Sequence, residues 1–259
     1  MTFITVQFDY KETWGKYKIL YEALKKSIEV NCPGAKLHSI NVPAPSNPRA
    51  FKGLTSNTVK LDYWIKALEE LDEEHFIFID CDMIVLKDME HVFEKDFDIC
   101  YTIRDSVFPI NGGVVFVKKN ERSIDFIKRW QVINDKMYTD RAFHQVWRDK
   151  YAGINQAAFG YMIEKDPGEA KLETVHCMQY NCTDEGWGRI GDDCHAIHYK
   201  GKLRDAVLRL RPVAENLKRS FAEWNKYGVI PESYKAQIPR AKRKKRPQPI
   251  AANNTWSRW

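Results

Sequence analysis

Asp80-Cys81-Asp82 is the stretch of this sequence whose residue types can do chemistry on their own. In extended backbone, residues two apart project to one side, so both carboxylates face a common point while Cys81 turns into packing. Two anions held that close repel unless a cation joins them. A carboxylate pair suits a hard or borderline divalent ion, Mg2+ or Mn2+, which can in turn hold a diphosphate. The plain alternative is a solvated Asp-rich turn. Position favours the metal: His75-Phe-Ile-Phe-Ile79 is continuously apolar up to Asp80, as in a central parallel strand covered on both faces, and α/β sheets bind ligands at the carboxyl ends of such strands. His198 is a third candidate ligand, because a neutral imidazole can join carboxylates on one ion. Gly201 lets backbone come close to a phosphate, and Lys200 or Lys202 can neutralise its charge. The alternative for His198 is a buried imidazole bonded to a carbonyl.

These residues need a scaffold, and the chain alternates strand and helix. Phe3–Phe8 reads as a strand, the stretch around Tyr17–Val30 as a helix, and Leu37–Val42 as a second strand, followed by a loop with Pro43, Pro45 and Pro48. Thr58–Leu71 has the apolar period of a helix with one buried face, and Ile99–Thr102 is a short strand. Asn111-Gly112-Gly113 reads as a turn into a strand that ends at Val117, with a helix over Glu121–Asn134. Residues 140–163 read as helix, turn, helix, and Lys171–Met178 as a returning strand. Asn181–Asp193 looks too polar for core and resembles a loop across a site. Ala196–Tyr199 is a short closing strand, Arg204–Trp224 an amphipathic helix broken at Arg211-Pro212, and Gly228–Pro239 winds down.

The 259 residues permit one large α/β domain or two small ones, and 44% hydrophobic with 29% charged residues excludes a disordered chain, a fibre or a disulfide scaffold. The uninterrupted apolar runs, about four residues, are too short to span a bilayer. The net charge of +6 is local: from Arg240 onward there are seven basic residues and no acidic one, which leaves the rest near −1. A nearly neutral body does not call for nucleic acid. No secretory signal precedes the first strand, so a cytoplasmic, reducing compartment is expected, with the six cysteines as buried apolar residues and the Asn181-Cys-Thr183 sequon silent.

The segment Phe76-Ile-Phe-Ile-Asp-Cys-Asp-Met-Ile-Val85 resembles the D-x-D segment of GT-A fold nucleotide-sugar-dependent glycosyltransferases. Asn111-Gly-Gly-Val-Val-Phe-Val117, Asn155-Gln156 and His198-Tyr-Lys-Gly201-Lys202 follow in the order of the glycogenin-like and lipooligosaccharide-galactosyltransferase-like members, and the resemblance spans about residues 3–204. It implies an α/β, GT-A type fold: a Rossmann-like, mostly parallel central sheet with helices on both faces and a C-terminal acceptor-side region. It further implies one catalytic domain over 1–239, with a nucleotide-sugar-binding half (1–118) and an acceptor-side half (119–239); by composition, residues 240–259 are expected to form a basic, disordered tail. The implied activity is a metal-dependent hexosyltransferase that moves a hexose from a nucleotide sugar, a UDP-sugar being favoured, to a hydroxyl of a glycan or glycoconjugate. Mn2+ or Mg2+ would sit at Asp80, Asp82 and His198. Where the family has Lys three residues after the Gly, this chain has Arg204, and the Pro-Trp that follows in the family is absent.

Under that resemblance, Phe8, Asp9 and Tyr10 at the end of the first strand are the base and ribose candidates, with Phe8 nearest the core. Lys60 is a phosphate or ribose candidate, with Lys66 as its mid-helix competitor and solvated surface lysines as the alternative for both. Asn111, Gly112 and Gly113 would touch donor sugar, or form only a tight turn. Asn155 and Gln156 are catalytic or sugar-orienting candidates, Gln156 resembling the glutamine near the anomeric carbon of retaining members; their alternative is helix capping. Inversion would instead need a carboxylate base, from Asp105, Asp184, Glu185, Asp192 or Asp193. Asp184, Trp187 and Asp192 are acceptor-side candidates.

Two other classes compete. A nucleotidyltransferase or phosphohydrolase would use the same acids with a second metal cluster. A zinc-bearing interaction module would use Cys177, Cys182, Cys194 and His195, although their spacing is unlike compact zinc pairs. The tail Arg240-Ala-Lys-Arg-Lys-Lys-Arg246 can attract anionic headgroups and place the protein at a membrane periphery, or serve only solubility.

Overall fold

The computed structural model describes residues 1–9, 15–43, 52–209 and 214–237. Tyr10, most of the proline-rich segment and the basic tail lie outside them. The chain gathers into two compact units, both discontinuous in sequence: residues 1–8, 35–80 and 90–176 form one, while 9–34, 81–89 and the described residues from 177 onward form the other.

The first unit is built on a six-stranded sheet. Its strands are β1 (Thr2–Asp9), β2 (Lys36–Pro43), β3 (His75–Ile79), β5 (Ile99–Ile103), β6 (Ile110–Lys118) and β7 (Leu172–His176), in the order β2-β1-β3-β6-β5-β7. β1 and β3 are parallel, as are β5 and β7, whereas β6 runs antiparallel to both of its neighbours. The expected mostly parallel sheet thus holds in strand direction, with β6 the reversed member. Phe76, Ile77, Phe78 and Ile79 are all buried, which explains why β3 has no polar alternation.

Helices α2 (Lys52–Glu70), α3 (Glu121–Thr139) and α5 (Asn155–Lys165) turn apolar faces onto the sheet. Trp64 of α2 stacks on Phe78 at 4.3 Å and Trp130 of α3 on Phe159 of α5 at 4.2 Å. The two stacked pairs contribute about 1–3 kcal/mol together beyond the burial of their apolar area, at about 0.5–1.5 kcal/mol per pair. Helix α4 (Arg141–Tyr151) adds Trp147 and Tyr151 to the same core. Asn120 caps α3 in a reciprocal box with Ser123. Buried Asp98 ties three elements, accepting from Arg122 (2.8 Å), Asn120 (2.7 Å) and the Lys171 backbone (2.7 Å). The Arg122 hydrogen bond, with Lys171 and Asn120, outweighs burial and holds the Asp98 carboxyl down at about 2.

The second unit holds helix α1 (Lys16–Asn31), the strand pair β4 (Met83–Val85) and β8 (Ala196–His198), and helices α6 (Cys177–Tyr180), α7 (Gly201–Leu208), α8 (Lys218–Tyr227) and α9 (Glu232–Gln237). β4 and β8 are antiparallel, Met83 facing His198. A separate core joins Leu20, Ile84, Trp187, Tyr199, Leu203 and Trp224.

Several expectations change. Asn111-Gly112-Gly113 is not a turn before a strand but lies inside β6, where the pairing with β5 shifts register between Tyr101 and Thr102. Helix α2 starts at Lys52, earlier than the expected Thr58, because Lys52–Asn57 offers one apolar residue in the sequence, Leu54, and so no apolar period. The last expected helix is two, α7 and α8, and α9 forms where the chain was expected to wind down, with Pro231 before it and Tyr234 buried. Residues 181–193 are not a purely polar loop: Asn181, Cys182, Thr183, Asp184 and Trp187 are buried. Among the described residues, no helix is long and apolar enough to cross a membrane.

Candidate active site

In the first unit the site grows from the end of β3. The Asp80 N–H donates to the Gly113 carbonyl at 2.9 Å, which extends the β3–β6 ladder to the first aspartate. Lys60 on α2 is only 6% exposed, and its Nζ donates to the Gly112 carbonyl at 3.2 Å and lies 3.5 Å from Asp80 Oδ1. A buried ammonium is tolerated because both partners are negative or strongly dipolar, and the Trp64 ring adds a cation–π contact at 4.9 Å. Lys66, the competitor, is on the solvent face with Glu70 3.7 Å away.

Gly112 opens a small cradle. A Cβ there would meet Asn155 Oδ1 at 3.6 Å, Gln156 Cγ at 3.9 Å and Lys60 Nζ at 4.0 Å. Asn155 is buried and its Nδ2 has no hydrogen-bond partner, while its backbone carbonyl accepts from Trp130 Nε1 at 3.1 Å. Gln156 Nε2 donates to the carbonyls of Ile110 (3.1 Å) and Tyr151 (2.9 Å), which fixes the side chain by its nitrogen. Neither amide caps α5, whose N-cap is Ile154. Asn111 is buried, and its Oδ1 accepts from the Gly113 N–H at 3.0 Å, bracing the irregular part of β6.

In the second unit, the β4–β8 register sets Asp82 beside His198. The Tyr199 N–H donates to the Asp82 carbonyl at 2.7 Å, and His198 Nε2 lies 3.2 Å from Asp82 Oδ1. Arg204 of α7 donates to the other oxygen, Oδ2, at 3.0 Å. Asp82 is 7% exposed and His198 5%. Burial pushes the Asp82 carboxyl up, but the charge and hydrogen bond of His198, then the charge of Arg204, more than reverse it and hold the group well below the usual carboxylate range. His198 Nδ1 lies 3.0 Å from Asn181 Oδ1, an arrangement in which Nδ1–H donates and Nε2 is presented to Asp82.

Ligand atoms of Asp80, Asp82 and His198 all lie within 4.8 Å of one another. Two carboxylates and an imidazole oriented by a hydrogen bond are a fitting donor set for a divalent ion of the Mg2+ or Mn2+ kind. Among the described residues this is the single such group. The second metal cluster required by a nucleotidyltransferase or phosphohydrolase is therefore not found among them. The zinc module is corrected too: Cys177, Cys182 and Cys194 are buried in packing, and His195 bonds the Asp88 carbonyl at 2.7 Å and stacks on Tyr180.

Other expected residues are distributed differently. Trp187 does not offer a face to a sugar: it is 2% exposed, packed in the second core, and its Nε1 donates to the His198 carbonyl at 3.1 Å. An apolar ring gains more from that core than from solvent, which a polar-looking loop sequence conceals. Asp184 is buried with Lys200 3.5 Å away, and Asp192 is exposed and paired with Arg219 at 2.7 Å. Asp105 is fully exposed, 3.5 Å from His176. Gly201 opens α7 at φ 51°, a left-handed conformation that favours glycine, and Lys202 follows it on the exposed side. Phe8 is half-buried, Asp9 closes β1, and Tyr10 is outside the described residues. Sequence reasoning missed Asn181, which looked like a silent sequon, and the Arg204 contact to Asp82; neither has a local signal, because both depend on packing between distant segments.

A family model described as nucleotide-diphospho-sugar transferase matches residues 65–202. No curated protein matches the chain. Among solved structures, the chain is similar to a glycosyltransferase involved in glycosylation of the major capsid of PBCV-1, with 14% identity, TM-score 0.56, and 79% of this chain and 96% of that one covered. It is similar to the glycosyltransferase GlyE of Streptococcus pneumoniae TIGR4, at 13% identity and TM-score 0.58 over 89% of this chain, but spans 60% of GlyE. The galactosyltransferase LgtC, in complex with donor and acceptor sugar analogs, matches at 11% identity and TM-score 0.54, with 92% of this chain and all of that one covered. These likenesses share the GT-A architecture of sheet and flanking helices. The family match spans more than half of the chain and takes in Asp80, Asp82 and His198, so this chain belongs to the nucleotide-diphospho-sugar transferase family.

Proposed function

We propose that this chain is a metal-dependent hexosyltransferase of the glycogenin and lipooligosaccharide-galactosyltransferase group, transferring a hexose from a UDP-sugar to a hydroxyl of a glycan or glycoconjugate. The observation that carries this reading is the gathering of Asp80, Asp82 and His198. When bound there, Mn2+ or Mg2+ supplies positive charge where the departing diphosphate becomes negative. Asp80, Asp82 and His198 hold it, and Gly201 with Lys202 approaches the diphosphate. Phe8, Asp9 and Tyr10 take base and ribose. Lys60 and Gly112 line the donor side with Asn111 and Gly113, where the partnerless Asn155 Nδ2 and the fixed Gln156 orient the sugar.

Retention is favoured by the resemblance of Gln156 and the His198–Gly201 segment to retaining members; of the carboxylates considered as bases, Asp184 is buried with Lys200 3.5 Å away. The acceptor proton then leaves to the departing phosphate on the same face. LgtC, a galactosyltransferase of similar fold for which an active-site glutamine mutant is known, supports a glutamine beside the donor sugar, the place proposed for Gln156. The working division is a nucleotide-sugar half over 1–118, an acceptor side over 119–239 that includes Asp184 and Asp192, and a basic tail over 240–259 suited to anionic membrane surfaces, all in the cytoplasm. A screen of UDP-, GDP- and dTDP-hexoses with and without Mn2+, scoring nucleotide release and linkage by NMR, tests it. Mn2+-dependent release from a UDP-hexose with retained configuration is expected; release from none of them, or an inverted product, contradicts it.

A further inference from the structure

The turn that joins α4 to α5 holds its backbone in a conformation that its sequence resists. Ala152 has φ 57° and ψ 155°, and among the described residues it is the one non-glycine residue at positive φ. Gly153 follows at φ 59°. A Cβ at such a φ crowds the backbone, so an L side chain stays there only where its surroundings hold it. They do so from both sides. The Ala152 N–H donates to the Arg148 carbonyl at 2.9 Å, and His144 Nε2 lies 2.8 Å from the Gly153 carbonyl. Gln156 Nε2 reaches back to donate to the Tyr151 carbonyl at 2.9 Å, while it also donates to the Ile110 carbonyl at 3.1 Å. The Tyr151 ring fills the space that a Cβ on Gly160 would enter, which locks the end of α4 against α5.

Only residues 152–154 separate the two helices, and α5 opens at Asn155 with no side-chain cap. The turn takes the place of a cap: a change of φ or ψ at Ala152 passes directly to Asn155 and Gln156, whose side chains lie beside Gly112. Glycine at 152 would relieve the strain, but it would also open the turn to conformations of either sign of φ. Alanine makes the turn less stable and more narrowly defined. Resting on the donor-sugar reading of Asn155 and Gln156 given above, we propose that Ala152 is a positioning residue for hexose transfer: its methyl group restricts the α4–α5 turn and so keeps those two amides in the orientation the sugar needs. It acts through Asn155 and Gln156 and touches no reacting atom.

Two variants of the full chain separate placement from stability: Ala152→Gly, which removes the Cβ, and Ala152→Ser, which keeps it. Ala152→Gly should melt about 2–5 °C higher than the unaltered chain, because it sheds the strain. Its kcat for transfer from a UDP-hexose should nevertheless fall about three- to tenfold, with the donor KM and the Mn2+ dissociation constant within about twofold. Amide hydrogen exchange over residues 152–158 should quicken about tenfold in the same protein. Ala152→Ser should stay within about twofold of the unaltered chain in kcat and exchange. A turn with a structural role alone gives the higher melting temperature with kcat unchanged, and that result overturns the proposal, as does unchanged exchange or an Ala152→Gly protein that melts lower or does not fold. All of these leave the donor reading standing if the unaltered chain transfers hexose. An unaltered, Mn2+-loaded chain that releases nucleotide from no UDP-hexose overturns the donor reading and the proposal with it.

Discussion

The polar groups at the end of β3 and those on the β4–β8 pair solve opposite problems. In the second unit, Asp82 is held by His198 and Arg204, and His198 by Asn181, through short contacts that offset the buried charge, with Arg204 Nε left without a partner. In the first unit, Lys60 is similarly held, but the neighbouring Asn155 keeps a buried Nδ2 without a partner beside a glycine that leaves room for a small group. Leaving a buried amide donor unpaired costs about 1–3 kcal/mol, a cost that an incoming hydroxyl recovers. Under the proposed function, the second unit's cluster serves an ion together with Asp80, and the space beside Gly112 serves the donor sugar.

Substitutions can break that separation, and the largest effect is expected at His198. His198→Ala removes a ligand and should weaken Mn2+ binding and sugar transfer together, by more than about 100-fold. Asn181→Leu leaves the imidazole in place but unoriented, and should cost about 10- to 100-fold in Mn2+ affinity with transfer following it. Gly112→Val fills the cradle against Asn155, Gln156 and Lys60, and should raise the KM for the donor by about tenfold while the Mn2+ dissociation constant stays put. If that variant lost Mn2+ binding too, the two regions would not be separable. Lys66→Ala, on the solvent face of the same helix as Lys60, should change neither quantity.

Acid sharpens the comparison from another side. Asp98 is depressed to about 2 in the folded chain, chiefly by its hydrogen bond from Arg122. A depressed carboxyl contributes stability above its unfolded pKa, near ~4, and that contribution is lost as pH falls through the folded value. The melting temperature should therefore drop steeply between about pH 4 and pH 2, and Asp98→Asn, already destabilised at neutral pH, should show a shallower drop. Equal slopes for the two proteins would place the acid-sensitive group elsewhere.

Much of this architecture is legible in the order of amino acids alone. The uninterrupted apolar run into Asp80 marks a buried strand because β3 has no solvent face, but the pleat does not carry the two carboxylates: β3 ends at Ile79, and a turn at Cys81 and Asp82 leads into β4, so the extended geometry expected there is corrected. Lys60 is legible as a candidate but its depth is not, since a lysine's partners are set by tertiary contact. Trp187 and Asn181 escape such a reading because composition over 181–193 averages glycine and aspartate with residues that are individually buried. The reversal of β6 and its irregular register at Gly112 have no sequence period to announce them, as two glycines read equally well as a turn.

The most direct test removes the ion and one of its ligands in turn. Metal-stripped protein is assayed for hexose transfer from a UDP-sugar, before and after Mn2+ is restored, alongside Asp82→Ala. Transfer should be lost with the metal, return with Mn2+, and remain absent in Asp82→Ala at any Mn2+ concentration. Undiminished transfer by the stripped protein, or by Asp82→Ala, would contradict the account.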